Sequence, residues 1–180
     1  MSGADPFDPF ADEDDEESGA IDLVIEDDRW LDADLEGQSA RALAAVSEWL
    51  GMEDLRIVVL GCDDERIAGL NAEFRDKPRP TNVLSWPSSE FGARAPGERP
   101  ELPPAEELGD IAISYDTCLR EAEEQGKPFA DHVTHLLVHA ILHLAGYDHI
   151  DDSDALTMEG SETEILSRLG IPDPYLEYER

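Results

Sequence analysis

The chain has 180 residues, of which 41 % are hydrophobic, and its 13 basic and 44 acidic residues give a net charge of −31. This length is enough for one compact domain with a buried core, and the charge opposes long-range attraction to nucleic acids and anionic membranes. The two cysteines, Cys62 and Cys118, are far apart and follow no metal-binding spacing. We therefore exclude a disulfide framework and expect buried thiols in a cytoplasmic protein.

Two segments differ in composition from the rest of the chain. Residues 1–19 are acidic and lack the basic and apolar regions of a secretory signal, so we predict that they are disordered. Residues 88–107 contain four prolines and are predicted to form a loop. The folded domain is predicted to span residues 20–175, with a short tail at 176–180. No apolar run is long enough to cross a membrane.

Hydrophobic periodicity predicts both strands and helices between residues 20 and 170. Strands are predicted at 20–26, 55–61, 81–87 and 108–114. Helices are predicted at 39–51, 63–75, 115–126, 129–146 and 152–170. Ser39 is predicted to cap the first of these helices, and Gly51 to end it. The elements indicate one layered domain, in which the residues alone do not determine the strand order.

Three of the five histidines occur in the segment VHAILHLAGYDH, as His139, His143 and His149. A helix through this segment places His139 and His143 one turn apart on one face, where both can bind one metal ion. His135 lies on the same face, but it is about 12 Å from His143 along the helix axis. That distance is too long for one zinc ion, which needs ligand nitrogens at about 2.0–2.1 Å. Gly146 can turn the chain after the helix and bring His149 to the ion.

These three histidines predict a catalytic zinc site. Three imidazoles with one open position are typical of catalytic zinc, whereas structural zinc has four protein ligands that usually include cysteines. The alternative for any such histidine is a packing role in the core, and this is our interpretation of His132. His135 has the same interpretation, with a supporting contact to a metal ligand as a further role.

The histidine spacing also occurs in metzincin proteases. Those enzymes carry a glutamate directly after the first histidine, where it acts as the general base. Ala140 occupies that position here. Peptide hydrolysis by the metzincin mechanism would therefore lack its base.

The segment VHAILHLAGYDH (138–149) resembles the motif H-G-x-L-H-L-x-G-Y-D-H of the YbeY family, bacterial zinc-dependent endoribonucleases of rRNA maturation. LNAEFRDKPRPTNVLSWP (70–87), LGDIAIS (108–114) and MEGSETEILSRLGIPDPY (158–175) resemble further stretches of that family. The resemblance implies a single α+β domain, in which a small mixed sheet is flanked by helices and the metal site lies at the end of a central helix. It implies one Zn²⁺ per chain. Ala140 replaces the family's glycine, which narrows the space beside the metal without removing a ligand.

Arg75 matches the arginine that precedes the PTNVLS-type strand of the family, and the resemblance implies a catalytic role for it. From the residues alone, an exposed position at a helix end is the preferred interpretation. Phosphodiester cleavage builds negative charge on phosphoryl oxygens, which a guanidinium stabilises. Residues 75–99 carry five basic and three acidic residues, a local charge of +2. Within this window we predict that Lys77 and Arg79 contact RNA phosphates.

The sequence thus favours one function and leaves two alternatives. We expect a single-strand-specific, zinc-dependent endoribonuclease that acts at the 3′ end of 16S rRNA and in ribosome quality control. The partners implied by the resemblance are single-stranded RNA of the small subunit, its ribosomal proteins and assembly GTPases, with no membrane. The alternatives are a non-catalytic ribosome-assembly factor with a structural zinc, and a zinc hydrolase of another substrate, including a divergent peptidase.

Overall fold

Four strands and six helices occur in residues 20–89, 91 and 95–175, which a computed structural model describes. The strands are β1 (Ile21–Ile25), β2 (Arg56–Cys62), β3 (Val83–Pro87) and β4 (Glu107–Ser114). The helices are α1 (Arg29–Asp32), α2 (Leu35–Leu50), α3 (Asp64–Arg75), α4 (Tyr115–Gln125), α5 (Phe129–Leu144) and α6 (Asp152–Arg168). The segments 1–19 and 176–180, for which we predict disorder and a short tail, lie outside the described residues.

The strands form one mixed sheet in the order β1-β2-β4-β3. The first three strands of that order are parallel, and β3 pairs antiparallel with β4 at the edge. Strands that are buried on both faces read as continuous apolar runs, which explains the composition of β2. The predicted α+β domain, with a small mixed sheet flanked by helices, is confirmed.

Side chains that alternate along the central strands divide the interior into two cores. Ile111 and Ile113 of β4 belong to the larger core, to which α2, α5 and α6 contribute. Ala112 belongs to the smaller core on the other face, which Ile67 and Leu70 of α3 cover. The sheet therefore has α3 on one face and most of the helical layer on the other.

The helix α5 lies at the centre of the larger core. It packs against α2, α4 and α6 and against the strands β3 and β4, and most of its residues are buried. A helix that is apolar on nearly all sides is expected in such a position. Among the described residues, no helix combines the length and the apolar character that crossing a membrane requires.

The helix α2 begins before the predicted cap at Ser39. Asp34 precedes the helix, and its side chain accepts a hydrogen bond from the N–H of Gly37 at 3.1 Å, which satisfies one of the unpaired donors of the first turn. Ser39 lies inside the helix and is fully buried. The short helix α1, which periodicity did not predict, buries Trp30 and lets its Nε1 donate to the carbonyl of Cys62 at 3.1 Å.

The segment between β3 and β4 is anchored on two helices. The N–H of Gly97 donates to Asp154 at 2.8 Å, and its carbonyl accepts from the hydroxyl of Thr157 at 2.6 Å. The guanidinium of Arg99 lies 4.5 Å from the ring centre of Trp49 in α2. These contacts hold Gly97 and Arg99 of the Pro-rich segment against α6 and α2.

Gly109 allows β3 and α5 to approach β4 closely. Its φ is +143°, and a Cβ built on it would lie 2.2 Å from the carbonyl oxygen of Trp86 and 3.0 Å from the side chain of Leu144. Gly69 in α3 provides a contrast, because a Cβ built there meets no described atom within 4 Å apart from its chain neighbours and the backbone of its own helix. The same substitution should therefore have opposite effects at the two positions.

We expect Gly109→Ala to lower the free energy of unfolding by about 2–3 kcal/mol, because the backbone of β3 must move or β4 must hold an alanine at positive φ. Gly69→Ala is the matched control and should raise that free energy by about 0.5–1 kcal/mol, the usual gain from removing a glycine inside a helix. Denaturant unfolding of both variants measures the difference. Equal stabilities would contradict the close approach of β3 to β4.

Candidate metal centre

The C-terminal end of α5 and the turn after it bring three histidines together. His139 and His143 lie one turn apart in α5, and Gly146 follows with φ +103°. The N–H of Gly146 donates to the carbonyl of His143 at 3.0 Å, so the turn closes directly on the helix end. Tyr147 is then buried in the core. The chain reverses as the glycine predicts, and His149 reaches the other two.

The three imidazoles form a compact triangle. The ring centroids of His139 and His143 are 4.9 Å apart, and that of His149 lies 5.4 and 5.0 Å from them. Each ring offers one nitrogen, and these nitrogens all lie within 4.8 Å of one another. The chemistry of this donor set fits a transition metal, since imidazole suits zinc, copper, iron and nickel better than magnesium or calcium. The triad can therefore hold one metal ion.

A buried carboxylate from α6 orients the first of these histidines. Glu162 has no exposed surface, and its Oε2 lies 2.6 Å from Nδ1 of His139. The N–H at Nδ1 donates to the carboxylate, which leaves Nε2 as the ring nitrogen that is available to a metal ion. Carboxylates that bind metal-ligating histidines in this way fix the ring orientation and increase the basicity of the ligand.

Two more donors complete the hydrogen bonds of Glu162. Nε2 of His135 lies 3.0 Å from Oε1, and the hydroxyl of Tyr175 donates to the same oxygen. Burial raises the pKa of Glu162, but hydrogen bonds from His135, His139 and Tyr175 outweigh it and lower that pKa to about 2. The carboxylate is therefore ionised at neutral pH and acts only as an acceptor. His135 lies outside the triad and is connected to His139 through the carboxylate of Glu162.

The second histidine of the triad is neutral at physiological pH. Burial lowers the pKa of His143 to about 4; the positive charge of Arg75 acts in the same direction, and the carboxylate of Glu162 opposes it. A metal ligand must be deprotonated before it binds. Burial thus keeps the lone pair of His143 available for an ion.

The triad opens into a cleft of about 450 Å³. One wall comes from the α3 end and β3, where Arg75 and Ser85 lie, and Tyr175 contributes from the segment after α6. The guanidinium of Arg75 donates to the carbonyl of Ser85 at 2.8 Å, which directs the side chain along the edge strand. Ala140, where a metzincin carries its glutamate base, is buried and also lines the cleft.

The structure separates the three basic residues that the sequence singled out. Arg75 lines the cleft together with the three histidines. Lys77 and Arg79 are exposed in the loop between α3 and β3, outside the lining of the cleft. That loop is held by Asn71, whose side-chain amide donates to the carbonyl of Arg79 at 2.9 Å. Of these three basic residues, Arg75 alone therefore shares the lining of the cleft with the triad.

Sequence reasoning missed two side chains at the site, Glu162 and Tyr175. A signal for Glu162 exists, since it is a charged residue at helical spacing from Met158 and Ile165, both buried in α6. A carboxylate on the apolar face of a helix requires a buried hydrogen-bond donor or a positive charge beside it. The sequence contains no comparable signal for Tyr175, which follows the helix.

The chain is similar to proteins of known classification. A family model described as Endoribonuclease YbeY matches residues 24–170. A protein named Endoribonuclease YbeY from Paracoccus denitrificans is 73 % identical over 159 residues, which cover 88 % of this chain and 91 % of that protein. A relative of the same name from Cereibacter sphaeroides is 54 % identical, with 86 % of this chain and 98 % of that protein covered.

A solved structure supports the fold independently. The solution structure of TM1509 from Thermotoga maritima superimposes with a TM-score of 0.53 at 21 % sequence identity, covering 87 % of this chain and 99 % of that chain. The similarity in fold agrees with the family match, which extends from within β1 to just past the end of α6. The chain belongs to the YbeY family.

Proposed function

We propose that this chain is a zinc-dependent endoribonuclease that cleaves single-stranded RNA, and that residues 20–175 form its catalytic domain. The observation that carries the proposal is the cleft in which Arg75 and the three-histidine set face the same space. The relatives named Endoribonuclease YbeY support RNA as the substrate class. The site residues of the proposal are His139, His143 and His149 for the metal and Arg75 for catalysis.

Zinc is the proposed metal because of the donor set. Three imidazoles, with no fourth protein ligand beside them among the described residues, match catalytic zinc sites, in which the open position is used by water or substrate. When bound, zinc supplies Lewis-acid polarisation of a phosphoryl oxygen and lowers the pKa of a water at its open position toward 7. His149 is exposed, and the triad opens into the cleft, so a substrate can reach this position.

The chain's own residues supply the remaining parts of the reaction. Arg75 binds the phosphoryl oxygens and stabilises the negative charge that develops there during cleavage. Glu162 orients His139, and the neutral His143 provides its lone pair without first losing a proton. Lys77 and Arg79, outside the cleft, position neighbouring phosphates of the strand.

The proposed biological setting is maturation of small-subunit rRNA and ribosome quality control in the cytoplasm. A net charge of −31 opposes the long-range attraction that would bring the chain to RNA without a guide. Other molecules must then deliver it to its RNA. Small-subunit ribosomal proteins and assembly GTPases are the proposed partners for that delivery, with cleavage near the 3′ end of 16S rRNA as the outcome.

Metal retention tests the choice of ligands. We expect wild-type protein to hold about one zinc per chain and His149→Ala to lose most of it. His132→Ala is the matched control and should keep its metal, because the Nε2 of His132 pairs with Glu121 at 2.9 Å and lies outside the triad. Elemental analysis of the folded proteins gives the answer. Equal metal loss in both variants would show that the third ligand is wrongly assigned.

Glu162→Gln tests the orienting carboxylate. We expect it to weaken metal affinity by about 10–100-fold, the usual cost of losing an outer-shell partner, while all three ligands remain. Glu164→Gln on the same helix is the control, since Glu164 is exposed and pairs with Arg168 at the surface. Competition with a chromophoric chelator measures both affinities. If Glu162→Gln binds metal with the affinity of the wild-type chain, the carboxylate of Glu162 does not support metal binding.

His143→Ala separates the proposed enzyme from a non-catalytic assembly factor. We expect the wild-type chain to cleave a short single-stranded RNA and His143→Ala to leave it intact, because the metal site is incomplete. Denaturing gel electrophoresis of a labelled RNA measures the products. An assembly factor with a structural zinc would cleave with neither protein, and equal cleavage by both would indicate a contaminating nuclease.

Arg75→Ala tests the catalytic arginine. Its removal should cost about 2–4 kcal/mol in the transition state, as the loss of an oxyanion-stabilising group does, and appear as a slower cleavage step with zinc still bound. Arg75→Lys should recover only part of the rate, since an ammonium cannot reproduce the guanidinium fork. The measurement is single-turnover cleavage at saturating protein.

The controls for Arg75 are Lys77→Ala and Arg79→Ala. Loss of either charge should weaken RNA binding and its salt dependence more than the cleavage step. If Arg75→Ala cleaves at the wild-type rate under saturation, the arginine is only a surface charge. Its position in the cleft would then have no catalytic meaning.

A further inference from the structure

The ring of Tyr175 stands in the wall of the metal cleft. It lines the same space as Arg75 and the three histidines, and 41 % of its surface is exposed. Large aromatic side chains that remain this exposed inside a cleft are candidates for contact with a ligand. The proposed chemistry gives Tyr175 no task beyond the hydrogen bond that its hydroxyl donates to Glu162.

The segment after α6 holds this ring in place. The carboxylate of Asp173 accepts from the N–H of Tyr175 at 2.8 Å and from the hydroxyl of Thr163 at 3.2 Å. Pro172 and Pro174 restrict the backbone on either side of Asp173, and the ammonium of Lys127 lies 3.4 Å from the carbonyl of Pro174. The tyrosine is therefore tied to α6 and to the end of α4 before any ligand binds.

Two contacts fix the orientation of the Tyr175 ring. The hydroxyl is held by Glu162, and the ring packs edge to face with His135, with centroids 5.6 Å apart and an angle of 86° between the planes. If the only role of Tyr175 were to donate a hydrogen bond to Glu162, its ring could be fully buried. The exposed part of the ring is instead presented to the cleft at little entropic cost.

We infer that Tyr175 stacks against an unpaired nucleobase of the RNA strand, next to the phosphate that Arg75 binds. This inference rests on the proposed function, which makes single-stranded RNA the ligand of the cleft. Unpaired bases are recognised largely by stacking on aromatic side chains, and such stacking tolerates any sequence. The net charge of −31 limits what phosphate contacts contribute, so affinity at this site depends more on a contact that needs no charge.

The experiment compares Tyr175→Phe with Tyr175→Leu. Tyr175→Phe keeps the ring and loses the hydroxyl, whereas Tyr175→Leu loses both, so the pair isolates the contribution of the ring. The probes are short single-stranded RNAs that carry 2-aminopurine, a base whose fluorescence is quenched by stacking, at successive positions. Stopped-flow fluorescence on the zinc-loaded chain follows binding before cleavage. The same measurement on the chelated chain excludes effects that act through metal loss.

We expect wild-type protein and Tyr175→Phe to quench one 2-aminopurine position and to bind the RNA with similar affinity. Tyr175→Leu should lose that quenching and bind about 10-fold more weakly, as the removal of one stacking contact predicts, with and without zinc. If the RNA affinity and the quenching of Tyr175→Phe fall as far as those of Tyr175→Leu, the hydroxyl and not the ring is responsible, and the inference is wrong.

Two further outcomes separate this inference from the function on which it rests. If the wild-type chain binds and cleaves RNA but Tyr175→Leu retains its affinity and its quenching, only the stacking contact is refuted. If the wild-type chain neither binds nor cleaves these RNAs, the proposed function fails and the stacking contact fails with it. Circular dichroism of each variant verifies that the fold is intact.

Discussion

The buried carboxylate of Glu162 is the constraint on which the site depends. A fully buried charge is tolerated only when hydrogen bonds replace its lost hydration, and here His135, His139 and Tyr175 supply them. Two of these donors lie on α5 and the third follows α6. The same hydrogen bonds that make the charge tolerable therefore dock two helices, orient the imidazole of His139 and place an aromatic ring in the cleft.

The position of the site follows from how α5 is buried. This helix packs against other helices and the sheet along most of its length, so it has no broad polar face on which to place ligands. The chain leaves the core shortly after the C-terminal end of the helix, beyond the buried Tyr147, and Gly146 makes the turn. The partial negative charge of a helix C-terminus also favours a bound cation. A metal site at this end agrees with both requirements.

The cleft combines segments that are far apart in the chain. The end of α3 and the edge strand β3 contribute Arg75 and Ser85, α5 contributes histidines, and the segment after α6 contributes Tyr175. Close packing at Gly109 sets the position of β3 relative to β4 and α5. The side chain of Arg75 is held by a carbonyl of β3. The position of Arg75 relative to the histidines therefore depends on where this edge strand lies.

Local patterns predicted the parts of this structure that depend on local geometry. Helix periodicity places His139 and His143 on one face, and a glycine at positive φ allows the chain to turn after the helix. Both features can be read from the sequence, so the histidine triad was predictable. The strands and most helices were predictable for the same reason.

Tertiary contacts determined what the sequence could not predict. Glu162 pairs with His139, which lies 23 residues away in the chain, and this pairing depends on how α6 docks on α5. The start of α2 was predicted wrongly, because serine is a common capping residue but Ser39 lies inside the helix. Asp34 precedes the helix, and its side chain accepts the hydrogen bond from Gly37. The strand order depends on which faces the helices cover, about which periodicity carries no information.

Zinc titration of the chelated wild-type chain tests the central claim most directly. Metal-free protein is mixed with increasing zinc, and cleavage of a single-stranded RNA is measured alongside the bound metal. Our account predicts no cleavage without metal, and activity that rises in proportion to bound zinc and saturates at about one ion per chain. Cleavage by the metal-free chain at the full rate, or a fully zinc-loaded chain that leaves the RNA intact, would contradict it.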